Sequence, residues 1–166
     1  VGAVVYGGAQ ESVPVAFCPL GMENPEPLQH ADDSLELPSH LLEVAELVAK
    51  ADPGNTDLIV AALLHDAIED VKKTREEIAE LFGERVAGLV EEATDDKSLP
   101  KPERKRLQIE TASTKSRDAK LLKLADKTSN LRSVALSPPS HWQDERRREY
   151  VAWSAAVAAG LFGVSE

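Results

Sequence analysis

Four polar side chains follow an apolar segment near the middle of the chain. Residues 58–70 are mostly small or branched apolar side chains, and they end in His65, Asp66, Glu69 and Asp70. Residues three and four apart share a helix face, so on a single helix these four side chains would lie along one edge. Burying three carboxylates and an imidazole is costly unless a cation compensates their charge. Because imidazole and carboxylate together suit Mn²⁺, Fe²⁺ or Zn²⁺, the segment predicts a divalent metal site.

His40 and Asp126 are further candidate ligands. His40 lies at the start of a predicted helix, and Asp126 lies in the middle of another, where an aspartate is a poor helix former and costly to bury. Each observation alone has an ordinary alternative. A His-Asp pair is more often a structural ion pair, His40 could cap a helix or fill the core, and Asp126 could pair with Lys123 or Lys127. Taken together, however, these residues favour a metal site.

Composition indicates an acidic, helical, single-domain protein. Its 166 residues suffice for one sizeable core, and apolar residues make up 42% with few aromatics, which favours helix over sheet. Lys and Arg number 19 against 29 Asp and Glu, and the net charge of −10 makes nucleic acid or an anionic membrane an unsuitable partner. No apolar run reaches the length of a membrane span. The single cysteine, Cys18, excludes an internal disulfide and fits a cytoplasmic protein.

Helical periodicity predicts the elements that position these residues. The predicted helices span residues 39–52, 58–70, 74–82, 84–93, 103–113, 118–134 and 142–160. Ser39 and Thr56 are candidate N-caps, and Thr74 forms a capping box with Glu77. No stretch alternates like a strand for long. We therefore expect an all-α fold, with a single compact helical bundle in residues 39–166.

Residues 1–38 differ in character from the rest. They are rich in Gly and Pro and show no sustained period, so we expect a largely irregular segment with at most a short helix near residues 28–33. The only methionine is Met22, and we expect residues 1–21 to be a tag or an upstream extension.

The order of the candidate ligands resembles that of a known superfamily. His40, the His65-Asp66 pair and Asp126 follow the H…HD…D order of the HD metal-dependent phosphohydrolases. Motifs similar to the hydrolase domain of RelA/SpoT proteins, in particular its small stand-alone form, the metazoan SpoT homologue, occupy residues 61–70, 94–101, 103–108 and 123–132. The resemblance covers about residues 39–162. It implies an HD-domain helical bundle.

The resemblance also implies a reaction and a role for each site residue. The reaction is Mn²⁺-dependent hydrolysis of the 3′-pyrophosphate of (p)ppGpp, which gives GDP or GTP and pyrophosphate. The implied Mn²⁺ ligands are His40, His65, Asp66 and Asp126. Glu69 and Asp70 match the acidic pair that activates water, while Asn130 and Tyr150 match residues near the substrate. The implied partner is a small phosphorylated nucleotide, and formation of a homo-oligomer is left open.

One dense basic stretch occurs in this acidic chain. It contains Lys97, Lys101, Arg104, Lys105 and Arg106. We predict that Lys97 and Arg104 contact substrate phosphates. The alternative is that the stretch is a solvated helix face.

Two departures from the family concern the nucleotide-binding edge. In relatives a basic loop precedes the histidine that matches His40, whereas residues 1–49 here contain no Arg or Lys. Where relatives have Tyr beside the last ligand, this chain has Thr128 and Ser129, which we expect to alter the pocket wall.

Two alternative functions therefore stay open. One is an HD-superfamily phosphohydrolase that acts on another phosphorylated nucleotide, and the other is a catalytically dead module that binds the alarmone. Retention of Glu69 and Asp70 favours an enzyme, because a pure binder of polyanions would gain from losing carboxylates.

Overall fold

The computed structural model describes residues 37–162, with side chains from Ser39 onward. These residues belong to one compact unit, Asp33–Glu166. They form eight α-helices and one 3₁₀ helix, and no strand occurs in this part of the chain. The prediction of a compact all-α fold is confirmed. The predicted irregular segment 1–38, including its short helix near residues 28–33, lies largely outside the described residues.

The helices follow the predicted order, with one break. They are α1 Leu37–Ala51, α2 Thr56–Leu64, α3 Ala67–Asp70, α4 Arg75–Phe82, α5 Glu84–Ala93, α6 Lys101–Thr111, the 3₁₀ helix Ala112–Thr114, α7 Arg117–Leu136 and α8 Asp144–Leu161. None of them, within the described range, combines the length and the apolarity that crossing a bilayer requires.

Side-chain caps fix where several helices begin. The predicted capping box of α4 is present: the Thr74 hydroxyl accepts a hydrogen bond from the Glu77 amide, and the Glu77 carboxylate accepts one from the Thr74 amide. Gly83 ends α4 with φ of +91°, a conformation that favours glycine. The prediction that Thr56 is the N-cap of α2 is wrong. Asn55 takes that position, because its side-chain oxygen accepts a hydrogen bond from the Leu58 amide at 3.3 Å.

The prediction of one uninterrupted helix through residues 58–70 is also wrong. α2 ends at Leu64, and Asp66 adopts φ −96° and ψ 0° before the four-residue α3 begins. The Ala62 carbonyl, which a continuing helix would offer to the Asp66 amide, instead contacts His65 Nδ1 at 2.8 Å. His65 and Asp66 therefore lie at a helix end, not along a continuous helix face.

The core lies among α1, α2, α5 and α7. α1 and α5 each pack against both α2 and α7. The buried apolar side chains that fill this space include Val44, Val48, Leu58, Ala61, Ala62, Val86, Val90, Ala119 and Leu122. Full burial of a Val or Leu side chain contributes about 1.5–3 kcal/mol. This packing fixes the relative positions of α1, the end of α2 and α7, which carry the candidate ligands.

α8 covers a second, smaller cluster. It packs against α6, α7 and the 3₁₀ helix. Ala112, Val157 and Leu161 are buried together there. Gly160 allows the close approach, because a Cβ at this position would lie 2.7 Å from the Ala112 Cβ.

Candidate active site

Three predicted ligands from distant parts of the chain meet in the structure. His40 lies on α1, His65 follows α2 and Asp126 lies on α7, and all three are buried. His40 Nε2 is 3.4 Å and His65 Nε2 is 3.8 Å from Asp126 Oδ1. One potential ligand atom from each residue lies within 4.8 Å of the others. Two imidazoles and a carboxylate at this spacing can hold a divalent metal ion.

The hydrogen bond of His65 determines which ring nitrogen faces this cluster. Its Nδ1 lies 2.8 Å from the Ala62 carbonyl oxygen. Because a carbonyl only accepts, Nδ1 carries the proton, and Nε2 of the neutral ring presents a lone pair. Nε2 is buried and has no hydrogen-bond partner among the described residues. A buried, unpartnered nitrogen beside carboxylates fits a metal-binding position.

Each carboxylate oxygen of Asp126 has a polar partner on α7. Asn130 Nδ2 donates to its Oδ1 at 2.6 Å, and Lys127 Nζ lies 3.2 Å from its Oδ2. Burial by itself would raise the pKa of Asp126, but the opposing effects, of which the charge of Lys127 is the largest, hold this pKa well below its usual range. An ionised carboxylate is the form that coordinates a cation.

Asp66, the fourth predicted ligand, lies beside this group. Its Oδ2 is 3.4 Å from His65 Nε2. It is not one of the three residues whose ligand atoms lie within 4.8 Å of one another. Burial raises the pKa of the Asp66 carboxyl, and His65 partly opposes the shift. Its position next to His65 keeps it available as a further ligand.

The predicted acidic pair is engaged unequally. Glu69 Oε1 accepts a hydrogen bond from the Asp95 amide at 2.7 Å, and Glu69 Oε2 lies 2.8 Å from Lys97 Nζ. Both oxygens of Glu69 therefore have a partner. The nearest approach of Asp70 to Lys97 is longer, at 3.9 Å. Burial raises the pKa of Asp70, while the charge of Lys97 opposes the shift.

Lys97 lies beside the acidic pair, and Arg104 is near enough to Lys97 for their charges to interact. Burial would lower the pKa of Lys97, but Glu69 outweighs it and the pKa is raised, with Arg104 opposing the rise through its own charge. Arg104 Nε is buried and has no hydrogen-bond partner among the described residues. Arg106 instead pairs with Glu103 and Glu110 on an exposed helix face. The basic stretch thus contributes a surface face, one cation that contacts the acidic pair, and a second cation near the first.

Tyr150 lies in an aromatic group behind Lys127. Its ring centroid is 5.4 Å from that of Trp142 and 5.5 Å from that of Trp153. Lys127 Nζ, which contacts Asp126, lies 4.7 Å from the centroid of the Trp153 ring. Asn130 on α7 therefore contacts the candidate ligand Asp126 directly. Tyr150 on α8 is connected to Asp126 through Trp153 and Lys127.

Two residues near His40, Ser129 and Glu43, were not among the predicted site residues. Ser129 is completely buried, and its Oγ lies 3.0 Å from His40 Nδ1. It also donates a hydrogen bond to Glu43 Oε2 at 2.6 Å. Ser129 therefore contacts a candidate ligand, a contact that was not predicted from the sequence. The signal available in the sequence was spacing alone: Glu43 and Ser129 each follow a candidate ligand by three residues.

Comparison with known proteins identifies relatives of this chain. The HD domain family matches residues 24–157, which include every candidate site residue. The guanosine-3′,5′-bis(diphosphate) 3′-pyrophosphohydrolase MESH1 of Drosophila melanogaster is 44% identical over 140 residues, covering 82% of this chain and 78% of the relative. The human MESH1 protein is 48% identical over 129 residues, covering 76% of this chain and 72% of the relative.

A solved structure shows the same relationship. It is that of a metazoan orthologue of SpoT, described as hydrolysing ppGpp, and it superposes with a TM-score of 0.74 at 45% identity. The match covers 76% of this chain and 72% of the other. The resemblance seen in the motifs therefore extends over most of the fold, and this chain belongs to the HD domain family, within the group that contains the MESH1 proteins.

Proposed function

We propose that this protein hydrolyses the 3′-pyrophosphate of (p)ppGpp, releasing pyrophosphate and leaving GDP or GTP, in a Mn²⁺-dependent reaction. The observation that carries the proposal is the unpartnered, buried Nε2 of His65, which lies near the carboxylates of Asp66 and Asp126. The names of the relatives give the same reaction for those proteins.

His40, His65, Asp66 and Asp126 are the proposed metal ligands. Two imidazoles with two carboxylates suit Mn²⁺, because they leave positions open on an octahedral ion. A bound divalent cation would supply a lowered pKa for water and would offset negative charge on the phosphorus centre. Lys127 and Asn130 orient the Asp126 carboxylate through the contacts described above.

Asp70 is the proposed general base. Glu69 is tied to the Asp95 amide and to Lys97, so its carboxylate holds the segment that follows α5 in place. Asp70 lacks an equally short contact with Lys97 and is exposed on the same short helix. It is therefore the better placed of the two to accept a proton from the attacking water.

Lys97, Arg104, Asn130 and Tyr150 are the proposed substrate contacts. In a chain of net charge −10, a nucleotide that carries two diphosphate groups requires local positive charge. Lys97 supplies one cation beside the acidic pair and Arg104 a second near Lys97, and the unpartnered Arg104 Nε can donate to a phosphate oxygen. Tyr150 offers an aromatic face and a hydroxyl near the site.

The remaining proposals concern the setting of the protein. The partner we propose is a small phosphorylated nucleotide, and the location we propose is the cytoplasm, in line with the use of a single cysteine. Whether the protein forms a homo-oligomer is left open, as in the sequence analysis.

Product analysis tests the proposed reaction. Purified protein with Mn²⁺ should convert ppGpp to equal amounts of GDP and pyrophosphate, and pppGpp to GTP and pyrophosphate, as resolved by anion-exchange chromatography. Release of orthophosphate, or turnover of other phosphorylated nucleotides but not of ppGpp, would assign the chain to a different HD-family reaction. Tight binding of ppGpp with no product in Mn²⁺ would instead support a binding module.

A further inference from the structure

The rings of His40 and His65, two of the proposed metal ligands, have different hydrogen-bond partners at Nδ1. His65 Nδ1 contacts a backbone carbonyl, which no substitution of a side chain can remove. His40 Nδ1 contacts the hydroxyl of Ser129 at 3.0 Å. A hydroxyl can either donate or accept, so by itself it leaves the tautomer of His40 undecided. The neighbours of Ser129 must decide it.

Glu43 decides the direction of that hydrogen bond. Ser129 Oγ lies 2.6 Å from Glu43 Oε2, and an ionised carboxylate only accepts. The single hydroxyl proton of Ser129 is therefore directed at Glu43, and its oxygen accepts the Nδ1 proton of His40. Nε2 of His40 is left with its lone pair facing Asp126 and His65.

Arg132 keeps Glu43 in the required position and charge state. Its guanidinium donates to Glu43 Oε1 at 2.8 Å, so both oxygens of Glu43 are engaged. The resulting chain runs from the exposed Arg132 through Glu43 and the completely buried Ser129 to His40. It links α7 to α1, the two helices that carry Asp126 and His40.

We infer that Ser129 and Glu43 are positioning residues that fix His40 in the tautomer able to bind a metal ion. Outer hydrogen bonds of this kind orient histidine ligands, and their loss typically weakens metal affinity by about 10- to 100-fold. The inference rests on the proposed role of His40 as a ligand. The inference adds a reason why the His40 ring carries its proton on Nδ1.

Ser129→Ala and Glu43→Gln test this role. Without the Ser129 oxygen, the remaining acceptor near the ring is Asp126 Oδ1 at Nε2, so the proton should move to Nε2 and block its lone pair. The Gln amide can donate to Ser129 and turn its hydroxyl proton towards Nδ1. The matched controls are Ser133→Ala, one turn further along α7, and Glu46→Gln, an exposed partner of Lys50 on α1.

Two measurements separate positioning from a merely structural contact. Nitrogen-15 spectra of the imidazoles, recorded without metal at a pH where the rings are neutral, should show His40 protonated at Nδ1 in the wild type and in both controls. In Ser129→Ala they should show the Nε2-protonated form. Mn²⁺ titrations followed by the electron paramagnetic resonance of free Mn²⁺ should give a roughly 10- to 100-fold weaker affinity for both test variants. Far-UV circular dichroism confirms that each variant is folded.

The outcomes distinguish this inference from the proposed function. If Ser129→Ala and Glu43→Gln are folded, keep the Nδ1 proton and bind Mn²⁺ as the wild type does, the inference is wrong while the metal site stands. If the wild type binds no divalent cation, the proposed function fails and this inference fails with it. A shifted tautomer together with weakened Mn²⁺ affinity supports both.

Discussion

Glu69 and Asp70 are adjacent in sequence, yet their carboxylates have different surroundings. Glu69 is held through both oxygens, by the Asp95 amide at 2.7 Å and by Lys97 at 2.8 Å. Asp70 is exposed and farther from Lys97. On this basis we propose that Glu69 acts as an anchor and that Asp70 accepts the proton. It also leads to unequal effects of isosteric substitution.

Asp70→Asn should lower kcat for ppGpp by about 10²-fold or more, because general base catalysis typically contributes about 10²- to 10⁴-fold. Its Mn²⁺ affinity should stay close to that of the wild type, since Asp70 is outside the proposed ligand set. Glu69→Gln should reduce kcat less, because the amide oxygen can still accept from the Asp95 amide. Steady-state kinetics beside a Mn²⁺ titration measures both effects. Normal turnover in Asp70→Asn would show that the base is misassigned.

Residue types could be predicted from the sequence, whereas hydrogen-bond directions could not. An imidazole next to carboxylates in an apolar segment already indicates a metal site. That Ser129 accepts from His40 follows only from the position of Glu43, which is 86 residues away along the chain. The anchoring of Glu69 likewise depends on a backbone amide 26 residues away. Contacts of this separation leave no local periodic signal.

At the scale of elements, the break between α2 and α3 shows what periodicity misses. The spacing of apolar residues predicts one helix, and the residues on both sides of the break are indeed helical. At this break the His65 ring contacts the Ala62 carbonyl, so a side chain takes an acceptor that a continuing helix would use. Helix ends that depend on local sequence signals were predicted correctly. The capping box at Thr74 and the end of α4 at Gly83 are confirmed.

Gly88 in the middle of α5 and Gly160 in the last turn of α8 provide a paired test of how α8 packs. A Cβ at Gly160 would lie 2.7 Å from the buried Ala112 Cβ, whereas a Cβ at Gly88 would meet nothing within 4 Å. Overpacking typically costs about 1–3 kcal/mol, while Ala gains about 1 kcal/mol over Gly in helix propensity.

We therefore expect Gly160→Ala to lower the free energy of unfolding and Gly88→Ala to raise it by about 0.5–1 kcal/mol. Urea denaturation of both variants beside the wild type measures the difference. Equal stabilisation by both substitutions would contradict the close packing of α8 on the 3₁₀ helix.

At the scale of the whole molecule, an ion network joins three helices on the described part of the surface. Asp118, at the start of α7, accepts hydrogen bonds from Asn55 Nδ2 at 3.0 Å and from the Arg85 guanidinium at 2.8 Å. Burial alone would raise the pKa of Asp118, but these hydrogen bonds outweigh it and lower the pKa below its usual value. The network thereby links the start of α7 to the cap of α2 and to α5.

Stability should depend on pH through this network. Because the pKa of Asp118 is lower in the folded state than the value of about 3.9 expected on unfolding, its contribution is complete above about pH 5 and is lost as pH falls through the folded pKa. Asp118→Asn should be less stable than the wild type at neutral pH and should lose less stability on acidification. Urea midpoints between about pH 3 and pH 7 measure this. Parallel curves for the two proteins would show that Asp118 is not responsible.

The overall class of the fold could be predicted because helical periodicity extends over most of residues 39–162. The convergence of α1, the end of α2 and α7 on one point could not be derived from periodicity, since it depends on how the helices pack. The resemblance of the H…HD…D order to a known family supplied that information. A solved structure 45% identical in sequence shares the fold, with a TM-score of 0.74.

We propose that the cluster of His40, His65 and Asp126 binds a divalent cation on which hydrolysis of ppGpp depends. The most direct test is pyrophosphate release from ppGpp as a function of Mn²⁺ concentration, with metal-stripped wild type and His65→Ala compared. We predict no release by the stripped wild type, full recovery on addition of Mn²⁺, and no recovery for the folded His65→Ala variant. Undiminished release in the presence of a chelator, or wild-type release by His65→Ala, would contradict the proposed site.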